Sequence, residues 1–185
     1  MAGALAWFAL LAAGGAQAQI GLIGSAISTA MDVRTKAEVA NDTEISAGAS
    51  KRLLDDKGSE WTGVKVLVFQ QHAVIAGAVK TEAVKKRVQE VVAQDRKIRT
   101  LKNELLVGDV GSFASDTALE TEINAKLTGA SGINSVNMRW ASIGGNVVLM
   151  GVALSAAEAK QAAAVVRGVK GVKSLKSHLR IVPKK

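Results

Sequence analysis

Few side chains in this 185-residue sequence could do covalent chemistry. There is no Cys, which removes thiol nucleophiles, disulfides, Cys-ligated zinc and Cys-ligated iron–sulfur clusters. His occurs twice, as His72 and His178, too few for a His-rich metal site. The patterning places His72 in a turn and His178 on a strand, and no Ser/Asp partner is implied by spacing. Asp55 and Asp56 adjoin, but neighbouring helix positions diverge and do not form an acid/base pair. There is no P-loop and no dinucleotide fingerprint. The expectation is a protein that is not an enzyme and has no cofactor and no metal.

Charge is the stronger signal. Lys and Arg number 24 against 16 Asp and Glu, a formal net charge of +8. Residues 80–102 carry +5, including Lys85, Lys86, Arg87, Arg99 and Lys102. Residues 160–185 carry +8, including Arg167, Lys170, Lys173, Lys176, Arg180, Lys184 and Lys185. Such a surface seeks an anionic partner. Nucleic acid is a poor choice, because single-strand binders stack bases on aromatic rings. Past the first thirty residues only Trp61, Phe69, Phe113 and Trp140 are available, and Phe69 and Trp140 fall in strands and read as core. No helix-turn-helix or RNA-binding signature appears.

The elements that must position these charges start after an uncharged opening. No charged side chain precedes Asp32. Leu5 to Ala13 is apolar over signal-peptide length, and Ala16-Gln17-Ala18 offers a small-x-small cleavage pattern, although no Lys or Arg precedes the run. The reading is a signal peptide over 1–18, a mature start at Gln19 and a periplasmic location; the run is too short and Ala/Gly-rich for a stable span.

Sliding the chain along itself by 74 residues then gives an ungapped match, with 13 identities in the 67 positions from Asp42. Asp42-Thr43 falls on Asp116-Thr117, Gly77 on Gly151, and Leu101-Lys102 on Leu175-Lys176. The chain is a tandem duplication. Its divisions are a lead-in over 19–41, a first domain over 42–107, a linker over 108–115 and a second domain over 116–183.

Each unit reads α-β-β-α-β. Ile45, Ala49 and Leu53, like Leu119, Ile123 and Leu127, recur every fourth residue as a helix requires. Thr117 with Glu120 forms a capping-box pattern. Alternating strands follow, over Val64 to Val68 and Val136 to Trp140, then polar turns at Gln70-Gln71-His72 and Gly144-Gly145-Asn146. The apolar runs Ala73 to Val79 and Val147 to Leu154 suggest strands covered on both faces, or central ones. Thr81 and Ser155 are N-cap residues, and Val84, Val88, Val91 and Val92 share one face of the second helix. Last strands run over Ile98 to Val107 and Val172 to Val182. The crossover helix makes the second and third strands parallel. The fold class is therefore α+β, two small mixed three-stranded sheets, each packed against two helices. A unit so small buries too little alone, so the two copies are expected to pack on each other or on something else. Gly77 and Gly151 are assigned to close approach of a helix to the sheet.

These residues resemble the BON-domain family, in its α-β-β-α-β order, its strand glycines Gly77 and Gly151, and its last strand after Gly171-Val172. The resemblance covers about 42–182. Ser115-Asp116-Thr117, Val148 to Gly151 and Val169 to Lys173 are similar to the tandem-BON lipoproteins of the Gram-negative outer membrane, as is the lead-in Asp32 to Thr35. The resemblance implies a non-enzymatic protein that binds anionic phospholipid and supports envelope integrity, peripheral to the outer membrane. It also implies that the first helix of the second unit meets the membrane, here Ser115, Asp116, Thr117, Ala118, Glu122 and Lys126. Two departures stand out: Gly14 occupies the position of the lipidated Cys, and Ala118 that of the inserting aromatic, with Glu120 and Glu122 beside it.

Strand alternation adds a second candidate surface. Ser174, Lys176, His178 and Arg180 share one face, Leu175, Leu179 and Ile181 the other, and Lys173 opens the strand. The expectation is an exposed basic strip, led by Lys173, Lys176 and Arg180, held reversibly at an anionic bilayer. The rival reading is a soluble periplasmic stress-response or chaperone-like protein whose partners are envelope proteins.

Overall fold

The computed structural model describes residues 32–56, 63–108 and 113–182. The first unit has α1 (Lys36–Asp55), β1 (Lys65–Phe69), β2 (His72–Ala76), β3 (Ala78–Val79), α2 (Glu82–Val92), β4 (Thr100–Asn103) and β5 (Leu106–Val107). The second has α3 (Phe113–Gly129), a 3₁₀ turn at Ser135–Asn137, β6 (Met138–Ile143), β7 (Asn146–Ala153), α4 (Ala156–Arg167) and β8 (Ser174–Ile181). The signal-peptide assignment, Gly14, Trp61 and Lys184-Lys185 lie outside the described residues.

Both three-stranded sheets have the expected topology, and β3 pairs parallel with β5 in a separate two-stranded sheet. β1 pairs antiparallel with β2, and β2 parallel with β4; β6 pairs antiparallel with β7, and β7 parallel with β8. Thr81 and Ser155 cap α2 and α4, accepting from the amides of Val84 and Glu158. Glu158 does not complete a capping box: its buried carboxylate accepts from the amides of Asn134 and Leu154 instead.

Alternation along the central strands fixes four layers. In the second unit Val147, Leu149 and Ala153 face α3 and α4, where Ile123, Leu127, Ala162 and Val166 meet them. In the first unit Ile75 packs on Ala49, Leu53, Val88 and Val92. The opposite faces meet each other. Phe69, Val74 and Ala76 of the first sheet pack against Ala141, Ile143, Val148, Met150 and Val152 of the second. The apolar runs are thus covered twice, by helices on one side and by the other copy's sheet on the other. Phe69 is fully buried in that seam, a burial worth about 1.5–3 kcal/mol.

Several sequence expectations are corrected. α1 starts at Lys36, with Thr35 and Glu38 forming a reciprocal capping box, so the end of the lead-in belongs to the helix. Thr117 is not a cap, because α3 already begins at Phe113; the Thr121 hydroxyl donates to the Thr117 carbonyl inside the helix. Glu120 is not a capping side chain but a buried one, 3% exposed. Val136 sits in the 3₁₀ turn, ahead of the strand. The last strand of the first unit is broken between Asn103 and Leu106. Ile181, assigned to the core face, is 52% exposed.

The glycines answer to a strand, not a helix. Gly77 and Gly151 have φ of 142° and 125°. A Cβ on Gly77 would lie 2.5 Å from the Gly63 carbonyl oxygen, and one on Gly151 2.1 Å from that of Asn137. In both units the backbone leading into the first strand crosses the glycine, and no side chain fits between.

Candidate functional site

The repeated Asp marks the first piece of local architecture. Asp42 on α1 accepts from the turn amides of Gln70 (2.8 Å) and Gln71 (2.7 Å). Asp116 on α3 does the same for Gly144 (2.8 Å) and Gly145 (3.2 Å), and also accepts from the Ser142 hydroxyl (2.7 Å). All four turn residues have positive φ, the tight-hairpin geometry that leaves two amides free to point at one carboxylate. Asp116, expected at a lipid surface, is therefore half-buried as a turn clamp.

That clamp joins two of the predicted surfaces. The Gly145 carbonyl accepts from the Lys173 amide at 2.8 Å, and Leu119 of α3 lies beside Gly171. The start of α3 and the Lys170–Lys173 turn thus form one end of the second unit. Ser115, Thr117 and Ala118 are exposed there, as are Lys170 and Lys173, and the four-residue spacing of Ala118, Glu122 and Lys126 continues an exposed face along α3. Lys170, also exposed, was legible as charge but not as lying in the turn beside α3.

Lys176 and Arg180 go elsewhere. With His178 they share a face of β8, as alternation required, but that face turns toward the first unit. Lys176 Nζ lies 2.6 Å from Glu104 Oε2, His178 Nε2 2.8 Å from Glu104 Oε1, and Arg180 Nη2 donates to Gln70 Oε1 at 2.7 Å. The strip expected to be free is partly covered: of Lys176, His178 and Arg180, only Lys176 keeps an exposed side chain. Burial alone would raise the Glu104 pKa; Lys176, then His178, hold it below the usual carboxylate range. Burial and then the neighbouring charge of Arg99 lower that of Arg180.

Other polar contacts close the seam. Lys65 Nζ pairs with Glu120 Oε1 at 2.6 Å, and the same oxygen accepts from the Ser142 amide at 2.7 Å. Val33 N–H donates to Asn137 Oδ1 at 3.0 Å, tying the lead-in to the second unit. Arg34, paired with Asp32 and Asp42, lies 4.3 Å above the centre of the Phe69 ring, and Arg139 lies 5.5 Å from it. Burial, helped by the charge of Arg34, pushes the Arg139 guanidinium down to about 10. Asp55 and Asp56 pair separately, with Lys51 and Arg87.

These features define a tandem-domain protein in which duplicated α-β-β-α-β units dock sheet to sheet, with cations on their outer surfaces. The chain belongs to the BON-domain family, whose BON domain matches residues 41–109 and 115–183. It is 26% identical over 145 residues to osmotically-inducible protein Y of Escherichia coli (strain K12), covering 76% of this chain and 72% of that one. It is 28% identical over 129 residues to an uncharacterized protein in the gshII 5' region of Anaplasma centrale, covering 68% and 85%. Among solved structures it is similar to CdsD, a structural protein of the type III secretion system of Chlamydia trachomatis. That match has 15% identity and a TM-score of 0.33, and covers 75% of this chain and 63% of that one. No helix among the described residues is long and apolar enough to cross a membrane.

Proposed function

We propose that this is a non-enzymatic periplasmic protein that supports the cell envelope under osmotic stress by binding anionic phospholipid surfaces reversibly, at the periphery of the outer membrane. The stress role is supported by the tandem BON architecture and by the likeness to a protein named for osmotic induction. The lipid role rests on one observation: the clamped turn brings Lys173 beside the exposed start of α3, with Lys170 next to it. Each such cation is worth about 1 kcal/mol near an anionic bilayer, and salt screens it. Ala118 offers no inserting ring, so the attachment is electrostatic.

Vesicle flotation tests this reading. The protein floats with phosphatidylglycerol vesicles at low salt, not with phosphatidylcholine vesicles, and Lys170→Glu with Lys173→Glu abolishes flotation. Failure to float with phosphatidylglycerol removes the lipid reading. It leaves the second one, a soluble stress protein that engages envelope proteins, which the partial neutralisation of the β8 strip by Glu104 favours.

A further inference from the structure

A cleft of about 200 Å³ opens along the seam between the two units, where β2 and β4 face β8. Val74 and Met150 form its apolar floor, and His72, Lys102, His178 and Arg180 stand on its walls. Among the described residues no carboxylate lines it. Glu104, the adjacent acid, is already occupied by Lys176 and His178. Arg180 is bonded here to the neutral amide of Gln70, so its charge is not cancelled by a carboxylate at that contact. Lys102 is exposed and forms no salt bridge among the described residues.

We infer that this cleft is an anion site for a phosphate group, free or carried on a glycerolipid headgroup, with Arg180 and Lys102 as its charged ligands and His72 as a third donor. A planar guanidinium and a mobile ammonium are the side chains that recognise phosphate oxygens. His72 Nδ1 is held 2.6 Å from the Thr100 hydroxyl, which leaves Nε2 for the ligand.

The state of His72 reports the same field. Burial lowers its pKa first, then the charges of Arg180 and Arg99, while Asp42 opposes them. Lys102 and His178 line the same cleft, so the cations around His72 outnumber the one acid. A bound phosphate reverses that balance and favours the imidazolium. The cleft uses neither Lys170 nor Lys173, so it stands or falls separately from vesicle flotation.

The test follows the His72 and His178 ring resonances by NMR during titration with inorganic phosphate, then with dihexanoyl phosphatidylglycerol below its micelle concentration. Sodium chloride at matched ionic strength is the control. Phosphate is expected to move the His72 titration toward or above its ordinary value of 6.5. Arg180→Gln weakens binding about tenfold, as loss of a charge-assisted hydrogen bond requires. Lys102→Gln, at an exposed position, weakens it several-fold. A response to both probes assigns the phosphate group as sufficient; a response to the lipid alone assigns the glycerol part to the Val74–Met150 floor. If neither probe moves His72, or chloride moves it as far, there is no site. Binding undiminished in Lys102→Gln and Arg180→Gln also overturns the assignment.

Discussion

Glu104 and His178 occupy the same position of the two repeats, 74 residues apart, and they touch, Oε1 to Nε2 at 2.8 Å. Positions that meet their own copy lie at the axis relating two equivalent units. Identical residues there would leave two carboxylates in repulsion or two rings with no acid. Divergence to an acid in one copy and a base in the other turns the contact into attraction. Lys176, the copy of Lys102, joins the same carboxylate, while Lys102 is left facing the cleft. The seam is thus nearly symmetric in its apolar centre and asymmetric in its charges.

Glu104→Gln lowers stability by about 1 kcal/mol, a modest figure because Lys176 is 59% exposed and water screens the pair. Urea denaturation followed by circular dichroism reads the shift in midpoint. Lys176→Gln alone costs less, since His178 still holds the carboxylate.

Acidification weakens the fold in two stages. His72 has a lowered folded-state pKa, so the unfolded chain takes up its proton first; its contribution is full above 6.5 and falls as pH drops below. Glu104 is also lowered, so its contribution is full above 4.5 and is lost as pH falls through its folded-state value. Urea midpoints measured from about pH 8 to about pH 3 show both stages. His72→Gln removes the first and Glu104→Gln blunts the second.

Much of this was legible in the sequence. The 74-residue offset gave the two units, and periodicity gave the helices, the hairpins and the parallel third strands. The polar clamps were not legible, because a turn amide has no residue identity: Asp42 and Asp116 matched in register, but nothing local says what an aspartate on a helix will accept from.

Asp116→Ala strips three donors at once and leaves the Gly144-Gly145 amides without a partner, costing about 2–4 kcal/mol. Asp42→Ala costs at least as much, since it also leaves the buried Arg34 with one carboxylate fewer. Comparing urea midpoints of the two variants checks the order.

Gly151→Ala is more damaging than either. Its Cβ would lie 2.1 Å from a backbone oxygen, at a φ that L residues rarely adopt. We expect a loss above about 3 kcal/mol, read as a collapsed melting temperature or failure to fold. Gly77→Ala, with the oxygen at 2.5 Å, follows the same direction.

Phe69→Asp separates the units without unfolding them. The ring fills the seam between the sheets and has no part in the helix-facing clusters. Small-angle scattering reports an increased radius of gyration, while far-ultraviolet circular dichroism keeps its helix and strand signal. A fully unfolded spectrum would mean that neither unit stands without the other.

The sequence by itself determined the duplication, the order of elements, the N-caps at Thr81 and Ser155, and the side of β8 on which its cations lie. These follow from spacing and from bonds between near neighbours, where backbone geometry leaves little choice. Only the tertiary structure decided what those faces meet. A strand apolar on both sides requires two covers but does not name them, and the second cover here is the other copy's sheet. That docking placed Lys176 and His178 on Glu104, buried Glu120 against Lys65, and corrected an open basic strip into a half-covered seam with a cleft beside it. Contacts of that kind depend on how two rigid units come together, and no local spacing encodes the angle.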